Sequence, residues 1–396
     1  MNRFSSVMLF GLSLCALSEV AAAQAGVVGV QPKSIHGPPA LEIGADGDAE
    51  FLYVQGITRT AKGEIVVGNL GSREIQVFGP NGAMLRKFGR TGQGPGEFRN
   101  MAWLGRTADS IYIYDSSQSR VSVFSVSGGF VRSVSLAAIT DRVYPHARIA
   151  VDRLVVLDFP GTRMEHPHGV FVDSVRVGLI DLRKPENVQW FRTIVGSSHL
   201  AINPDNTARA VAVGLYRFGT SPRIVSVGTE FWVGHVDSPI LERWGADGKV
   251  LRRMSLPVRA APFDEAAFAR ARSQELDLLA DPKNAPIIEE RFDKKHRPRT
   301  APIFSQLLSG PSGTLWVELF RYGRLDPGEY LVVGADGSLI ARWRTPPGVT
   351  IREVGTDHVA GVRRNEDGVE SVVVYRFPPR VTDPGLFCCA LPIRSL

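Results

Sequence analysis

The feature that most constrains this chain is a short-strand unit that recurs along it. Within Glu64 to Phe98, three runs rich in Val, Ile and Phe follow one another closely: Glu64–Asn69, Glu74–Phe78 and Met84–Phe88. Gly56–Arg59, just ahead, supplies a fourth. Short runs of β-branched and aromatic residues bounded by turn residues read as strands. Gly71, Pro80-Asn81-Gly82 and the glycines after Phe88 supply the turns. Four antiparallel strands, A to D, make a twisted sheet with two apolar faces that it cannot cover by itself. Stacking such sheets radially around an axis covers both.

The unit returns along the chain. Ile111–Asp115 and Arg120–Phe124 repeat strands B and C, and Arg153–Asp158 is a third strand B. The first three B strands start at Glu64, Ser110 and Arg153, 46 and 43 residues apart, a period in the range of propeller blades. Three more B strands follow at Glu230–His235, Thr314–Glu318 and His358–Val362. Strands C and D are expected at Ser174–Asp181 and Gln189–Val195 in the third unit, Ile240–Trp244 and Lys249–Leu256 in the fourth, and Glu329–Val333 and Ser338–Trp343 in the fifth. The sixth has a strand C within Gly368–Phe377 and no later run for a strand D. Leu41–Phe51 reads as a worn copy of Lys87–Phe98, so Ala40–Ile43 is expected to complete the last blade and leave no open sheet edge. The expected fold is all-β: a single six-bladed β-propeller over 41–377, preceded by a lead-in at 24–40 and followed by a tail at 378–396.

The connector Phe88-Gly89-Arg90-Thr91-Gly92-Gln93-Gly94-Pro95-Gly96-Glu97-Phe98, with Ile75–Phe78 before it and Arg120–Phe124 in the next unit, resembles NHL-type repeats. The resemblance is strong in the first two units and fades beyond Val143. It implies a six-bladed, TolB-like propeller of the kind found among exported bacterial proteins. It implies no single activity, because the family spans protein-interaction modules, lactonase-like and lyase-like enzymes, and sugar or peptide binders.

Composition agrees with one exported globular unit. The chain has 396 residues, 44% of them hydrophobic, and all-β folds of this length occur as one domain. Met1–Ala23 carries Arg3, the apolar run Phe4–Leu17 and the small residues Ala21-Ala22-Ala23, the layout of a secretory leader. The mature chain is therefore expected in the periplasm or outside the cell, as a monomer. No later run is long and apolar enough for a transmembrane helix. Net charge is +6; with a leader present and the charges scattered, nucleic acid is not the expected partner, and a surface with some anion preference is. Cys388 and Cys389 are adjacent, closer than a relaxed disulfide spans, and a tail with no redox role is expected.

Function is expected where the period breaks. The B-strand spacing jumps to 77 and then 84 residues. Three insertions account for this: Phe159–Asp173, Gly196–Pro222 and Pro257–Pro302. B–C loops and D–A connectors leave a propeller on the same face, so all three crowd one face over blades three to five, and loops on a rigid scaffold carry function. The third insertion reads as helical, with Asp264 as cap, Asp281-Pro282 as its end, and Phe268, Ala271, Leu276 and Leu279 on one face. A second helical turn or two is expected from Pro286 to about Lys295, with Ile288 and Phe292 as neighbours. The whole is either a peripheral patch or a lid over the central depression.

Several residues are candidates for binding. Glu165-His166-Pro167-His168 is the densest group of metal-ligand types; a zinc site would need further ligands, such as His146, His199 or His235, and otherwise the group is an exposed polar loop. Asn69, Asp115 and Asp158 end strand B in three blades, with His235 at the matching place in the fourth; they either line a pocket or cap the following turn. Arg73, Arg90, Arg120, Arg217, Arg223, Arg321 and Arg324 lie in or near loops of the inserted face, and guanidinium forks suit carboxylate or phosphate. The glycine run at 92–96 is not a nucleotide loop, since a strand follows it. Two functions are carried forward. One is an exported module binding a small molecule, glycan, peptide or envelope protein on the inserted face. The other is a hydrolase or lyase of the lactonase-like kind with a divalent metal near the axis.

Overall fold

The alternation of side chains along each strand B decides the architecture. The computed structural model describes residues 30–377 except 36, 46, 48, 140–141, 160–164, 204, 206–209, 211 and 280. The expected leader and the tail with Cys388 and Cys389 lie outside the described residues. Six sheets of four or five strands occur. Blade one comprises Val54–Arg59, Ile65–Asn69, Glu74–Phe78 and Met84–Phe88. Blade two comprises Met101–Arg106, Ser110–Asp115, Arg120–Ser125 and Phe130–Ser135. Blade three opens with Val143–Ala150 and Arg153–Asp158. Blade four is Pro222–Val227, Glu230–His235, Ile240–Trp244 and Val250–Ser255. Blade five is Phe304–Ser309, Leu315–Leu319, Glu329–Val333 and Leu339–Arg344. Blade six is Val349–Val354, His358–Arg364 and Glu370–Arg376.

Successive residues of a strand point to opposite faces, and here each face meets a different blade. Val66 packs with Ile111 and Ile113 of blade two, whereas Ile65 and Val67 pack with Ala360 and Val362 of blade six. Tyr112 meets Leu154 and Val156, and Val155 meets Phe231 and Val233. Trp232 meets Val317, and Trp316 meets Val359. Six apolar seams thus close a ring, and the inner strands A touch in the same cyclic order. Each fully buried aliphatic or aromatic side chain contributes about 1.5–3 kcal/mol. The C–D turns repeat a small device: Asn81, Asp247 and Asp336 each accept a bond from the backbone N–H two residues on, and the glycine between them takes the left-handed conformation, with φ of 85°, 76° and 85°.

The start of the described chain closes the ring. Leu41–Ile43 pairs antiparallel with Val372–Val374 as the outer strand of blade six, and Ile43 is fully buried. Arg363 Nη1 donates to Glu42 Oε2 at 2.6 Å, and Ser371 donates to Glu42 Oε1 at 2.7 Å. The Val54 N–H of blade one reaches Glu370 Oε2 of blade six at 2.9 Å. The lead-in holds one strand that the sequence reading leaves out: Lys33–Ser34 runs parallel to Trp343–Arg344 on the outer edge of blade five.

Blade three corrects the insertion boundaries. Its strand C is Gly169–Asp181 rather than Ser174–Asp181, and its strand D is Gln189–Ile202 rather than Gln189–Val195. The two strands run on past the blade as a ribbon, to which Ala212–Leu215 adds a further strand. Parts of the first two insertions are therefore strand, not loop; the alternation in Gly169–Asp173 is there, but its polar and apolar residues both stay partly exposed on the ribbon.

The third insertion is helical. α1 spans Glu265–Asp277, with the Asp264 side chain accepting from the Ala267 N–H. α2 spans Ala285–Arg291 and stops short of the expected Lys295, where Asp293 caps a separate single turn at Lys294–His296. Phe268, Ala271, Ile288 and Phe292 are buried against Phe218, Phe320 and Tyr322, with Leu276 and Leu279 beside them. Phe218 is the hub, meeting Phe268 and Phe292 edge-on at 5.1 and 5.4 Å. The helices are thus docked on aromatic residues of other connections, Phe218 from the second insertion and Phe320 and Tyr322 from the loop after strand B of blade five.

Candidate functional site

The inserted face holds a cavity of about 450 Å³ between the blade-three ribbon and blades four, five and six. The ribbon end contributes Tyr216 and Arg217, and the inner strands contribute Arg223, Gln306, Thr350 and Arg352. The ends of the B strands in blades five and six bring Glu318 and Arg364, with Arg321 and Arg324 in the loop after the former and Glu370 opening the next strand. Phe304, Phe320, Val362 and Pro302 supply apolar wall.

Charge around this cavity is unbalanced. Three of its arginines answer a carboxylate. Arg217 Nη1 bonds Glu275 of α1 at 2.6 Å, and its Nη2 donates to the Tyr322 carbonyl at 2.6 Å. Arg321 lies 3.2 Å from Glu318 and also donates to the Asp326 and Val349 carbonyls. Arg364 pairs with Glu370. Among the described residues, the other three, Arg223, Arg324 and Arg352, have no carboxylate within ion-pair distance. Arg223 donates to the Ser305 carbonyl at 2.6 Å and to Ser221 Oγ at 2.7 Å. Burial pushes its guanidinium below the ordinary arginine value, with Glu318 acting the other way. Arg352 reaches Gln306 Oε1 at 3.2 Å, and both it and Arg324 are exposed. His146, on the inner strand of blade three, has its pKa pushed down to about 4 by desolvation and then by the positive charge of Arg223. The cavity therefore favours a negative guest.

The candidates from the sequence divide sharply. Arg217 and Arg321 line the cavity, as do Arg223 and Arg324. Arg73, Arg90 and Arg120 do not. Arg73 donates to the Arg99 carbonyl, Arg90 pairs with Glu97, and Arg120 donates to the carbonyls of Gln93, Gly94 and Glu97, holding the glycine-rich connector in shape. Asp115 is fully buried and accepts from the N–H groups of Arg99, Asn100, Ser117 and Gln118. Asn69 does the same for Leu52 and Gly71, so the turn-capping alternative holds for both. Asp158 pairs with Arg176 across the B–C ladder. His235 Nε2 lies 2.8 Å from the Val195 carbonyl.

The histidines do not converge as a group on the axis. His166 stacks on Phe171 with 3.7 Å between ring centroids. His199 Nε2 bonds Asp173 at 3.0 Å. His168 joins Glu290 and His296 of the helical insertion, and the ligand atoms of these three all lie within 4.8 Å of one another. Arg352, Arg364, Glu318, Glu370, Glu290 and His296 were missed. Arg352 lies within an inner strand, Val349–Val354, that the residue pattern marks weakly. The other five stand at strand ends or in the insertion, with nothing local to single them out.

With this geometry in hand, comparison with known proteins adds the fold. Residues 47–149 match the DUF5128 family, described as a 6-bladed beta-propeller. No curated protein matches the chain. Among solved structures, a DUF4221 family member from Bacteroides vulgatus is similar at 12% identity over 83% of this chain and 94% of its own, with a TM-score of 0.48. A catalytically inactive virginiamycin B lyase from Staphylococcus aureus, solved with quinupristin, is similar at 9% identity over 83% and 98%, with a TM-score of 0.38. At these identities no residue role carries over.

Proposed function

We propose that this protein is an exported recognition propeller of the NHL and TolB-like type that binds a small anionic ligand in the cavity on its inserted face. One observation carries this reading: Arg223, Arg324 and Arg352 face a cavity in which the carboxylates are already taken by other arginines. Cavities of 300–1,000 Å³ are the size that holds small ligands, and about 450 Å³ suits a sugar acid or the acidic end of a short peptide. The mixed wall, with Phe304 and Phe320 beside Ser221 and Thr350, suits a guest with both hydroxyl groups and apolar faces. The leader expected at Met1–Ala23 supports a periplasmic or extracellular setting, and the match of residues 47–149 supports the propeller part of the reading. A monomer binding one ligand suffices for this activity.

The alternative, a hydrolase or lyase using a metal near the axis, draws less support. Among the described residues, the cavity's acids Glu318 and Glu370 each answer an arginine, and no group of three imidazoles or carboxylates gathers there.

Calorimetric titration with glucuronate, galacturonate and an acidic dipeptide at low and high salt tests the proposal. Binding is expected at low salt and weakens as salt rises. Arg223→Met and Arg352→Ala each reduce affinity at least tenfold, about 1.4 kcal/mol. Absence of any salt-sensitive binding across the three ligands ends the idea.

A further inference from the structure

We propose that His168, Glu290 and His296 form a divalent-cation site of the zinc class that ties the ribbon of blade three to the helical insertion. The site lies outside the anion cavity and rests on different observations. His168 comes from the B–C segment of blade three, Glu290 from α2, and His296 from the single turn after it. Both imidazoles aim the same atom at one oxygen: His168 Nε2 is 2.8 Å, and His296 Nε2 2.6 Å, from Glu290 Oε1. The rings stand 5.7 Å apart between centroids. Zinc bonds to nitrogen and oxygen are about 2.0–2.2 Å long, so a tetrahedral ion holds its ligand atoms about 3.3–3.5 Å apart. Ligand atoms that already lie within 4.8 Å of one another need only small side-chain shifts to reach that spacing. The side chains of His168, Glu290 and His296 are 21%, 19% and 7% exposed, so the ligand atoms are largely shielded but not sealed from solvent. Two imidazole nitrogens and one carboxylate oxygen suit zinc better than calcium or magnesium, which take oxygen ligands.

Two contacts oppose the ion and set its affinity. Lys295 Nζ sits 2.8 Å from the same Glu290 oxygen and must swing away; Asp293, 3.1 Å from it, is its other partner. The Asn203 N–H donates to His168 Nδ1 at 3.1 Å. Without metal, His168 therefore carries its proton on Nε2 and donates it to Glu290. A cation on Nε2 takes that lone pair, the ring proton moves to Nδ1, and the Asn203 amide loses its acceptor. Metal-bound histidines ordinarily donate from their second nitrogen, and a poor partner there lowers affinity about 10–100-fold. The site is thus an intermediate-affinity clasp rather than a permanently loaded one.

The test is calorimetric titration of zinc into the full chain after chelator treatment, with cobalt absorption as a second readout. One zinc per chain is expected, with a cobalt spectrum of nitrogen and oxygen ligation. His168→Ala and His296→Ala should each weaken zinc at least tenfold. Lys295→Met, which leaves all three ligands in place, should tighten it several-fold. Absence of zinc binding in both the wild type and Lys295→Met overturns the proposal. So does zinc binding that survives the two histidine substitutions together, or a thiolate-to-cobalt band, either of which puts the metal on other groups such as Cys388 and Cys389.

Discussion

At the scale of single residues, the same side-chain type serves two ends according to what lies within reach. Arg120 and Arg73 spend their donors on carbonyls of neighbouring turns, whereas Arg324 and Arg352 stand over a cavity without a carboxylate partner among the described residues. The sequence places all of these arginines on one face but cannot tell them apart, because the deciding carbonyls and carboxylates come from other turns. His146 gives a residue-scale prediction. Its folded pKa of about 4 lies below the ordinary histidine value of 6.5, from burial first and Arg223 second. The neutral ring is favoured in the fold, so its contribution is complete above pH 6.5 and is lost as pH falls toward 4. The size of that loss is about 2–3 kcal/mol. Urea unfolding between pH 4 and 7 should show a shallower fall for His146→Gln than for the wild type; parallel curves would mean the ring protonates freely.

At the scale of elements, the helical insertion illustrates how far local pattern reaches. Asp264, the apolar positions Phe268 and Ala271, and the pair Ile288 and Phe292 mark it as helix, and the structure puts all four apolar residues in one cluster. What that cluster packs on was not legible, since Phe218, Phe320 and Tyr322 come from other connections. Docking on Phe218 seats the insertion behind the ribbon end that lines the cavity, where Arg217 is bound to Glu275 of α1. Phe218→Ala should cost about 3–5 kcal/mol, seen by chemical denaturation. It should also open 257–302 to limited proteolysis before the blades are cut. If the insertion stays resistant while global stability falls, its docking does not depend on that ring. The blade-three ribbon is the opposite case: its strands exceed their expected ends because pairing continues beyond the blade, where half-exposed residues blur the alternation.

At the scale of the whole molecule, the ring is closed by chain segments more than three hundred residues apart. Leu41–Ile43 covers the edge at Val372–Val374, and Glu42 and Glu370 bond across the closure. An open edge would leave a row of unpaired backbone groups and one apolar seam half exposed. Ile43→Asp, which puts a charge in a fully buried position, should lower the melting temperature by roughly 5 °C or more and promote aggregation; scanning calorimetry checks both. An unchanged melting temperature would mean that closure adds little to stability.

The blade count, the strand order and the borrowed outer strand were determined by sequence alone, because period-two alternation and turn residues act between neighbours and repeat six times. The anion cavity, the turn-capping role of Asp115, the grip of Arg120 on the glycine-rich connector, and the meeting of His168 with Glu290 and His296 were decided by the tertiary structure. These depend on distances across the ring between residues far apart in the chain, and no local periodicity encodes such distances.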